Sequence, residues 1–316
     1  MNAPELRKHE KYDRLIARCQ GLAPIPTAVA HPCDESSLSG AIDAAEAGII
    51  LPILIGPIAK IRAVAEKLKF DLGRYEIVDV PHSHAAAEKA VELVHLGKAE
   101  LLMKGSLHTD ELMAEVVRKD TGLRTERRIS HVFIMDVPTY PKALFITDAA
   151  VNIFPTLDDK VDILKNAIEL AQALEIKKPK VAILSAVETV TAKIPSTIDA
   201  AALCKMAERG QITGGVLDGP LAFDNAISRE AAEIKHITSE VCGEADILLV
   251  PDLEAGNMLA KELIFLANAD AAGIVLGARV PIILTSRADS VRTRMASCAI
   301  AALYAHARRA ATVRVG

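Results

Sequence analysis

The chain has 316 residues, of which 51% are hydrophobic, 25% charged and only 3% aromatic, with no tryptophan. That length suits about two domains with buried cores, and a composition rich in aliphatic residues suits helices packed on parallel strands. The formal net charge of −4 lacks the basic excess that nucleic-acid binding requires, although a few focused cations still allow an anionic ligand.

The N-terminal fifteen residues are charged, unlike the apolar core of a signal peptide, and read as a helix. A strand at 27–30, a helix at 38–47, a strand at 49–55 and a helix at 58–68 follow. The greasiest stretch, 48–59, is too short to span a bilayer and contains Pro52, Gly56 and Pro57, so no membrane association is expected. A strand at 76–80, a helix at 84–96, a strand at 100–104 and a helix at 109–118 continue a βαβα rhythm, which predicts a parallel sheet covered on both faces.

Near the middle the rhythm changes. Two β-type runs, 131–136 and 142–147, are separated by Val137-Pro138-Thr139-Tyr140-Pro141. So short a connection fits antiparallel pairing and has no room for a crossover helix, and a domain boundary is expected nearby. Thr156 caps the next helix, whose first turn holds Asp158 and Asp159 at the positive end. Val161, Leu164, Ile168 and Ala171 fall on one face of it. Strands are expected at 181–185, 247–251, 273–276 and 281–285. The last leads into a helix carrying Met295, Cys298, Ala302 and Leu303 on one side. Asp218-Gly219-Pro220 reads as a turn. The five cysteines, Cys19, Cys33, Cys204, Cys242 and Cys298, form no CxxC pair. They fit reduced thiols of a cytoplasmic protein better than disulfides or zinc ligands.

Ligands of open parallel sheets bind beyond the carboxyl ends of strands. Thr285-Ser286-Arg287-Ala288-Asp289-Ser290 joins an apolar strand to a helix, where free N–H groups and the helix dipole favour an anion. Arg287 offers a planar charged fork for phosphate oxygens, Ser286 a hydroxyl donor, and Asp289 a proton acceptor. A plain cap from Asp289 or Ser290, with Arg287 paired to a surface carboxylate, fits the same letters. Lys104-Gly105-Ser106-Leu107-His108-Thr109-Asp110 is a second strand end entering a helix; it suits either a phosphate cradle or a capped helix. Pro251-Asp252-Leu253-Glu254-Ala255-Gly256-Asn257 reads first as a helix cap. GxGxxG after a strand, HExxH and GxSxG are all absent, and no metal cluster is evident.

Five segments taken together, KGSLHTDELM from Lys104, TDAAVNIFP from Thr147, DGPLAFDNA from Asp218, PDLEAGN from Pro251 and TSRADS from Thr285, resemble the phosphate acetyl/butyryltransferase family in order and spacing. The resemblance implies a two-domain α/β fold of the isocitrate/isopropylmalate dehydrogenase kind, with mostly parallel sheets, helices on both faces and an inter-domain cleft. Residues 1–130 and 274–316 would form the first domain and 131–273 the second, in a homodimer. It implies conversion of acyl-CoA and inorganic phosphate to acyl phosphate and CoA, with coenzyme A as substrate and no cofactor or metal. Acetyl-CoA is the expected donor and butyryl-CoA the alternative. A metal-dependent dehydrogenase of the related fold and a catalytically silent binding protein are the rival classes. Arg287 would hold the phosphoryl group, Ser286 would bond the reacting carbonyl or phosphate, and Asp289 would take the proton of the CoA thiol. Lys104, Ser106, His108, Thr109, Asn152, Asp252 and Asn257 would contact substrate. Two departures from the acetyl-specific pattern lean toward the butyryl-type and hydratase-fused branch. Val291-Arg292-Thr293-Arg294 stands where an aspartate is expected, and Met113, Ala114 and Glu115 stand where an arginine is expected.

Overall fold

In the computed structural model the described residues are 10–284 and 289–315, the side chains of 312–315 excepted. They separate into two compact units, one of residues 12–127 and 272–315, the other of 10–11 and 128–271.

The terminal unit begins with α1 (Glu10–Arg18) and then alternates strand and helix: β1 (Ile25–Ala30), α2 (Glu35–Glu46), β2 (Ile50–Gly56), α3 (Ile58–Leu68), β3 (Glu76–Asp79), α4 (Ser83–His95), β4 (Leu101–Lys104) and α5 (Thr109–Val116). Strands β1, β2 and β4 are almost wholly buried apolar runs, as a sheet covered on both faces demands. Helix boundaries follow local chemistry. Asp34 caps α2 by accepting the Ser37 N–H at 2.8 Å, and Lys69 ends α3 in the left-handed region at φ 59°.

The middle unit contains β5 (Ser130–Asp136), β6 (Leu144–Thr147), α6 (Leu157–Ala173), β7 (Lys180–Leu184), α7 (Pro195–Glu208), β8 (Val216–Leu221), α8 (Phe223–Ile227), α9 (Arg229–Ile234), β9 (Ile247–Leu249) and α10 (Leu253–Leu266). The chain then forms β10 (Asp270–Leu276), β11 (Ile282–Ile283) and α11 (Val291–Val315).

In the terminal unit the strand order is β3-β2-β1-β4-β11-β10, parallel throughout except that β10 runs against β11. The middle unit's order is β5-β6-β9-β7-β8, again parallel except for β5 against β6. The antiparallel β5–β6 pair is the one expected from a short connection, which spans seven residues, 137–143. Thr156 caps α6 by accepting the Asp159 N–H at 3.2 Å, and the Asp159 carboxylate accepts the Thr156 N–H in return. One face of this sheet carries a buried apolar cluster that includes Leu144, Ile146, Ala182, Leu221 and Leu248.

One expectation is corrected. Asp218-Gly219-Pro220 lies inside β8 and is not a turn. Strand β8 is the edge of its sheet, so Pro220 costs no ladder bond to a further strand. Gly219 is needed because a Cβ there would stand 2.7 Å from the Ile183 carbonyl oxygen.

Candidate active site

Parallel neighbours place their carboxyl ends on one sheet edge. In the terminal unit that edge carries His31 after β1, Lys104 to Ser106 after β4, and Leu284 after β11, where Ile283 sits opposite Met103. Ser286 and Arg287 follow directly but lie outside the described residues. Asp289 is described, and its carbonyl accepts a hydrogen bond from Arg294 Nη1 at 2.6 Å. The cap of α11 comes from Ser290, whose Oγ accepts the Thr293 N–H at 3.1 Å.

The strongest local constraint is between β1 and β4. Gly105 N–H donates to Ala30 O and Ser106 N–H donates to His31 O, both at 2.8 Å. A Cβ on Gly105 would fall 2.3 Å from Ala30 O and 2.4 Å from His31 O, so only glycine lets the two backbones come this close. Ser106 Oγ donates to His31 O at 2.8 Å and meets His31 Nδ1 at 2.8 Å. Cys33 N–H donates to His31 O at 2.8 Å and reaches Ser106 Oγ at 3.4 Å. His31 itself adopts φ 55°, a backbone conformation that costs energy outside glycine and asparagine. Burial first, then the Lys60 charge, lowers its pKa, against smaller raising effects from Glu111 and Asp34. The neighbouring Cys33 thiol is pushed up to about 11 by burial, so it stays protonated and is a poor nucleophile at neutral pH.

Lys104 Nζ donates to Gly105 O at 3.2 Å and Leu107 O at 3.1 Å, curling over the turn it begins. His108 and Thr109 are exposed at the start of α5. Glu111 draws the neighbouring helix starts together: its carboxylate accepts His108 N–H at 3.3 Å, meets His84 Nδ1 at 2.5 Å and accepts from Ser83 Oγ.

In the middle unit the same logic applies to β6 and β9, which are parallel neighbours. The loop after β6 is folded around Asp148, whose buried carboxylate accepts the N–H groups of Ala150 at 2.9 Å, Val151 at 3.0 Å and Asn152 at 3.2 Å. Asn152 is only 3% exposed. Its Nδ2 donates to Asp148 Oδ2 at 2.6 Å and Ile129 O at 2.9 Å, and its Oδ1 accepts from Arg128 Nε at 2.7 Å. Asn152 therefore shapes the loop through bonds at both ends of its amide. After β9, Asp252 caps α10 by accepting the Ala255 N–H at 2.9 Å, and Asn257 Nδ2 donates to Ala149 O at 3.2 Å. The two loops are thus tied to each other.

His131 escaped the sequence reading. It is 2% exposed on β5, stacks edge-on against Phe133, and leaves Nδ1 without a hydrogen-bond partner. Burial drives its pKa down to about 4, against the pull of Asp148. Its only sequence signal is a polar letter in a β-type run. A cavity of about 850 Å³ lies elsewhere in this unit, beside Lys180 and Val216 at the starts of β7 and β8; it is at the opposite strand ends from these loops and holds none of the candidate residues. Among the described residues, no group of three or more His, Cys, Asp or Glu side chains is arranged to hold a metal ion. No helix among them is long and apolar enough to cross a membrane.

A phosphate acetyltransferase of Rhizobium meliloti is 73% identical to this chain over 303 residues, 96% of each sequence. A phosphate butyryltransferase of Clostridium acetobutylicum is 44% identical over 296 residues, 94% of this chain and 98% of that one. Among solved structures, a branched-chain phosphotransacylase from Enterococcus faecalis V583 is similar with a TM-score of 0.77 at 30% identity, over 89% of this chain and 99% of that one. A 4-hydroxythreonine-4-phosphate dehydrogenase from Klebsiella pneumoniae reaches 0.53 at 10% identity, over 90% of this chain and all of that one. That last likeness concerns the fold alone, which is the α/β, mostly parallel, isocitrate dehydrogenase-like fold expected above. Residues 83–302 match the family described as Phosphate acetyl/butaryl transferase, a span that includes all five motif segments and leaves His31 outside. With more than half its length matched, the chain belongs to that family.

Proposed function

We propose that this chain is a phosphate acetyltransferase, converting acetyl-CoA and inorganic phosphate to acetyl phosphate and CoA. The observation that carries the reading is the convergence, on one edge of the terminal sheet, of the Lys104–Ser106 turn, His31, the start of α2, Leu284 and Asp289. A phosphate oxygen attacks the thioester carbonyl, the carbonyl becomes a tetrahedral oxyanion, and the C–S bond breaks to release CoA thiolate, which takes up a proton. In the reverse direction Asp289 is our candidate acceptor of the CoA thiol proton. Arg287 neutralises the phosphate and Ser286 donates to the oxyanion. Holding two substrates in line removes much of the barrier without a covalent intermediate.

Lys104, Ser106, His108 and Thr109 form the rim of this edge. Asn152, Asp252 and Asn257, on the loops after β6 and β9 of the middle unit, are our further candidate substrate contacts. We take the two units as the enzyme's two domains and the cytoplasm as its location. Helix α10 leaves Met258, Phe265 and Leu266 at least 66% exposed, an apolar patch that favours a homodimer.

The test is thiol release from acetyl-, propionyl- and butyryl-CoA at matched concentration, with and without phosphate. We expect strict dependence on phosphate, no effect of a chelator, and the highest kcat/KM for acetyl-CoA. A preference for butyryl-CoA would reassign the acyl group, since a methylene or two is worth only about 1–3 kcal/mol in an apolar pocket. Thiol release that ignores phosphate would reject the transferase reading.

A further inference from the structure

Helix α11 carries several arginines, and their burial and pairing run in opposite directions. Arg292 pairs with Asp13 at 2.8 Å and Arg309 pairs with Glu100; both arginine side chains are about one-third exposed. Arg294, one turn into the helix, is only 7% exposed, yet it pairs with no carboxylate among the described residues. Its Nη1 donates to Ser36 Oγ at 3.0 Å and to Asp289 O at 2.6 Å, and its Nε has no hydrogen-bond partner. The side chain lies along α2 where Gly40 makes room: a Cβ at Gly40 would meet Arg294 Cδ at 3.0 Å and Nε at 3.3 Å.

A guanidinium cannot escape burial by losing its proton, so an unpaired one stays costly until an anion arrives. The location adds to that demand. Ser36 sits in the first turn of α2, whose N–H groups and dipole also present positive potential. Of the carboxylates at that end, Asp34 accepts the Ser37 N–H at 2.8 Å and Glu35 pairs with Lys67. Helix α5, which starts on the same edge, contains no arginine.

We propose that Arg294 is a positioning residue for phosphate: its buried charge is balanced by the anionic substrate instead of a protein carboxylate, and its bonds to the Asp289 carbonyl and to Ser36 Oγ together tie the start of α11 to α2. The inference rests on the phosphate-transfer reading above, and the two are separable by experiment.

The test uses the full-length protein with Arg294→Gln, Arg294→Lys and Gly40→Ala, measuring KM for phosphate and for acetyl-CoA, and the rise in Tm on adding inorganic phosphate. Loss of a charge-assisted bond predicts that Arg294→Gln raises KM for phosphate about tenfold or more. KM for acetyl-CoA should stay within about twofold. The Tm in phosphate-free buffer should be unchanged or higher, because the unpaired charge is gone, and the phosphate-induced rise should shrink. Arg294→Lys should restore part of the phosphate affinity, and Gly40→Ala, which displaces the guanidinium, should repeat the phosphate-selective defect. An unchanged KM for phosphate in Arg294→Gln overturns the proposal, as does equal weakening for both substrates with a lowered Tm that Lys does not repair. Should Arg294→Gln fail to fold, a folded Gly40→Ala with normal phosphate affinity overturns it. A wild-type protein that releases no thiol in a phosphate-dependent way refutes the transferase reading instead, while the phosphate-induced Tm rise, compared between wild type and variants, still judges Arg294.

Discussion

His31 and Ser106 are joined twice, through Nδ1 to Oγ and through Oγ to the histidine carbonyl, each at 2.8 Å. The serine belongs to a family motif, whereas the histidine lies outside the matched span. Because the bond to the carbonyl uses the serine hydrogen, the imidazole is set to donate from Nδ1, and the Ser106 side chain is held in one orientation.

Replacing His31 by Ala removes one of these bonds. We expect a stability loss of about 1 kcal/mol and a fall in kcat/KM of about tenfold, larger than the stability loss explains. Denaturant unfolding and initial rates on the same preparation check this; normal rates would make the pair purely structural.

Gly105→Ala puts a methyl group against two carbonyl oxygens. Overpacking of this kind costs roughly 1–3 kcal/mol or more, and here it acts on backbone, which yields poorly. The expected result is a lower Tm together with loss of activity. A stable, active Gly105→Ala would mean that the β1 and β4 ends move apart freely and do not form a fixed cradle.

The buried His131 predicts an acid-side instability. Its folded pKa, about 4, lies below the ordinary value of about 6.5. Below that ordinary value the unfolded chain binds a proton that the native protein refuses, so stability falls as pH drops from about 6.5 toward 4. At about 1.4 kcal/mol per unit, the loss approaches roughly 3 kcal/mol. His131→Asn should flatten this part of the stability–pH curve. An unaltered slope would show that the pKa of His131 is not lowered in the folded protein.

Asp289→Asn separates binding from proton transfer. If the carboxylate accepts the CoA thiol proton, kcat in the acetyl phosphate plus CoA direction should fall about 10²-fold or more, with KM for CoA little changed. Full activity would assign the proton to another group or to water.

Features of the fold are legible in the sequence where neighbouring residues alone carry the signal. Strands β1, β2 and β4 announced themselves as apolar runs because both faces of the sheet are covered, and the short connection between β5 and β6, seven residues from 137 to 143, holds no crossover helix and fits only an antiparallel turn. The capping roles of Thr156 and Asp252 were readable because an oxygen side chain stands just before each helical run. Strand β8 was not readable, since Gly219-Pro220 signals a turn wherever chain neighbours alone are considered; only its edge position makes Pro220 acceptable. Helix α7 begins with Pro195 at its first turn, a usable signal that the apolar periodicity around it did not reinforce. For the site, the strand-end segments were legible as strings. What Asn152 and Arg294 touch was not, because Arg128, Ser36 and Gly40 are distant in sequence and their contacts arise only when the chain folds. His31 and His131 carried no signal beyond a polar letter at or near a strand end.

The most direct test of whether Arg287 grips the phosphate is the kinetics of Arg287→Ala with folding verified by thermal melting. The expected result is a fall in kcat/KM for phosphate of about 10²–10³, while KM for acetyl-CoA and Tm stay close to wild type. An Arg287→Ala enzyme that uses phosphate as well as wild type would contradict it.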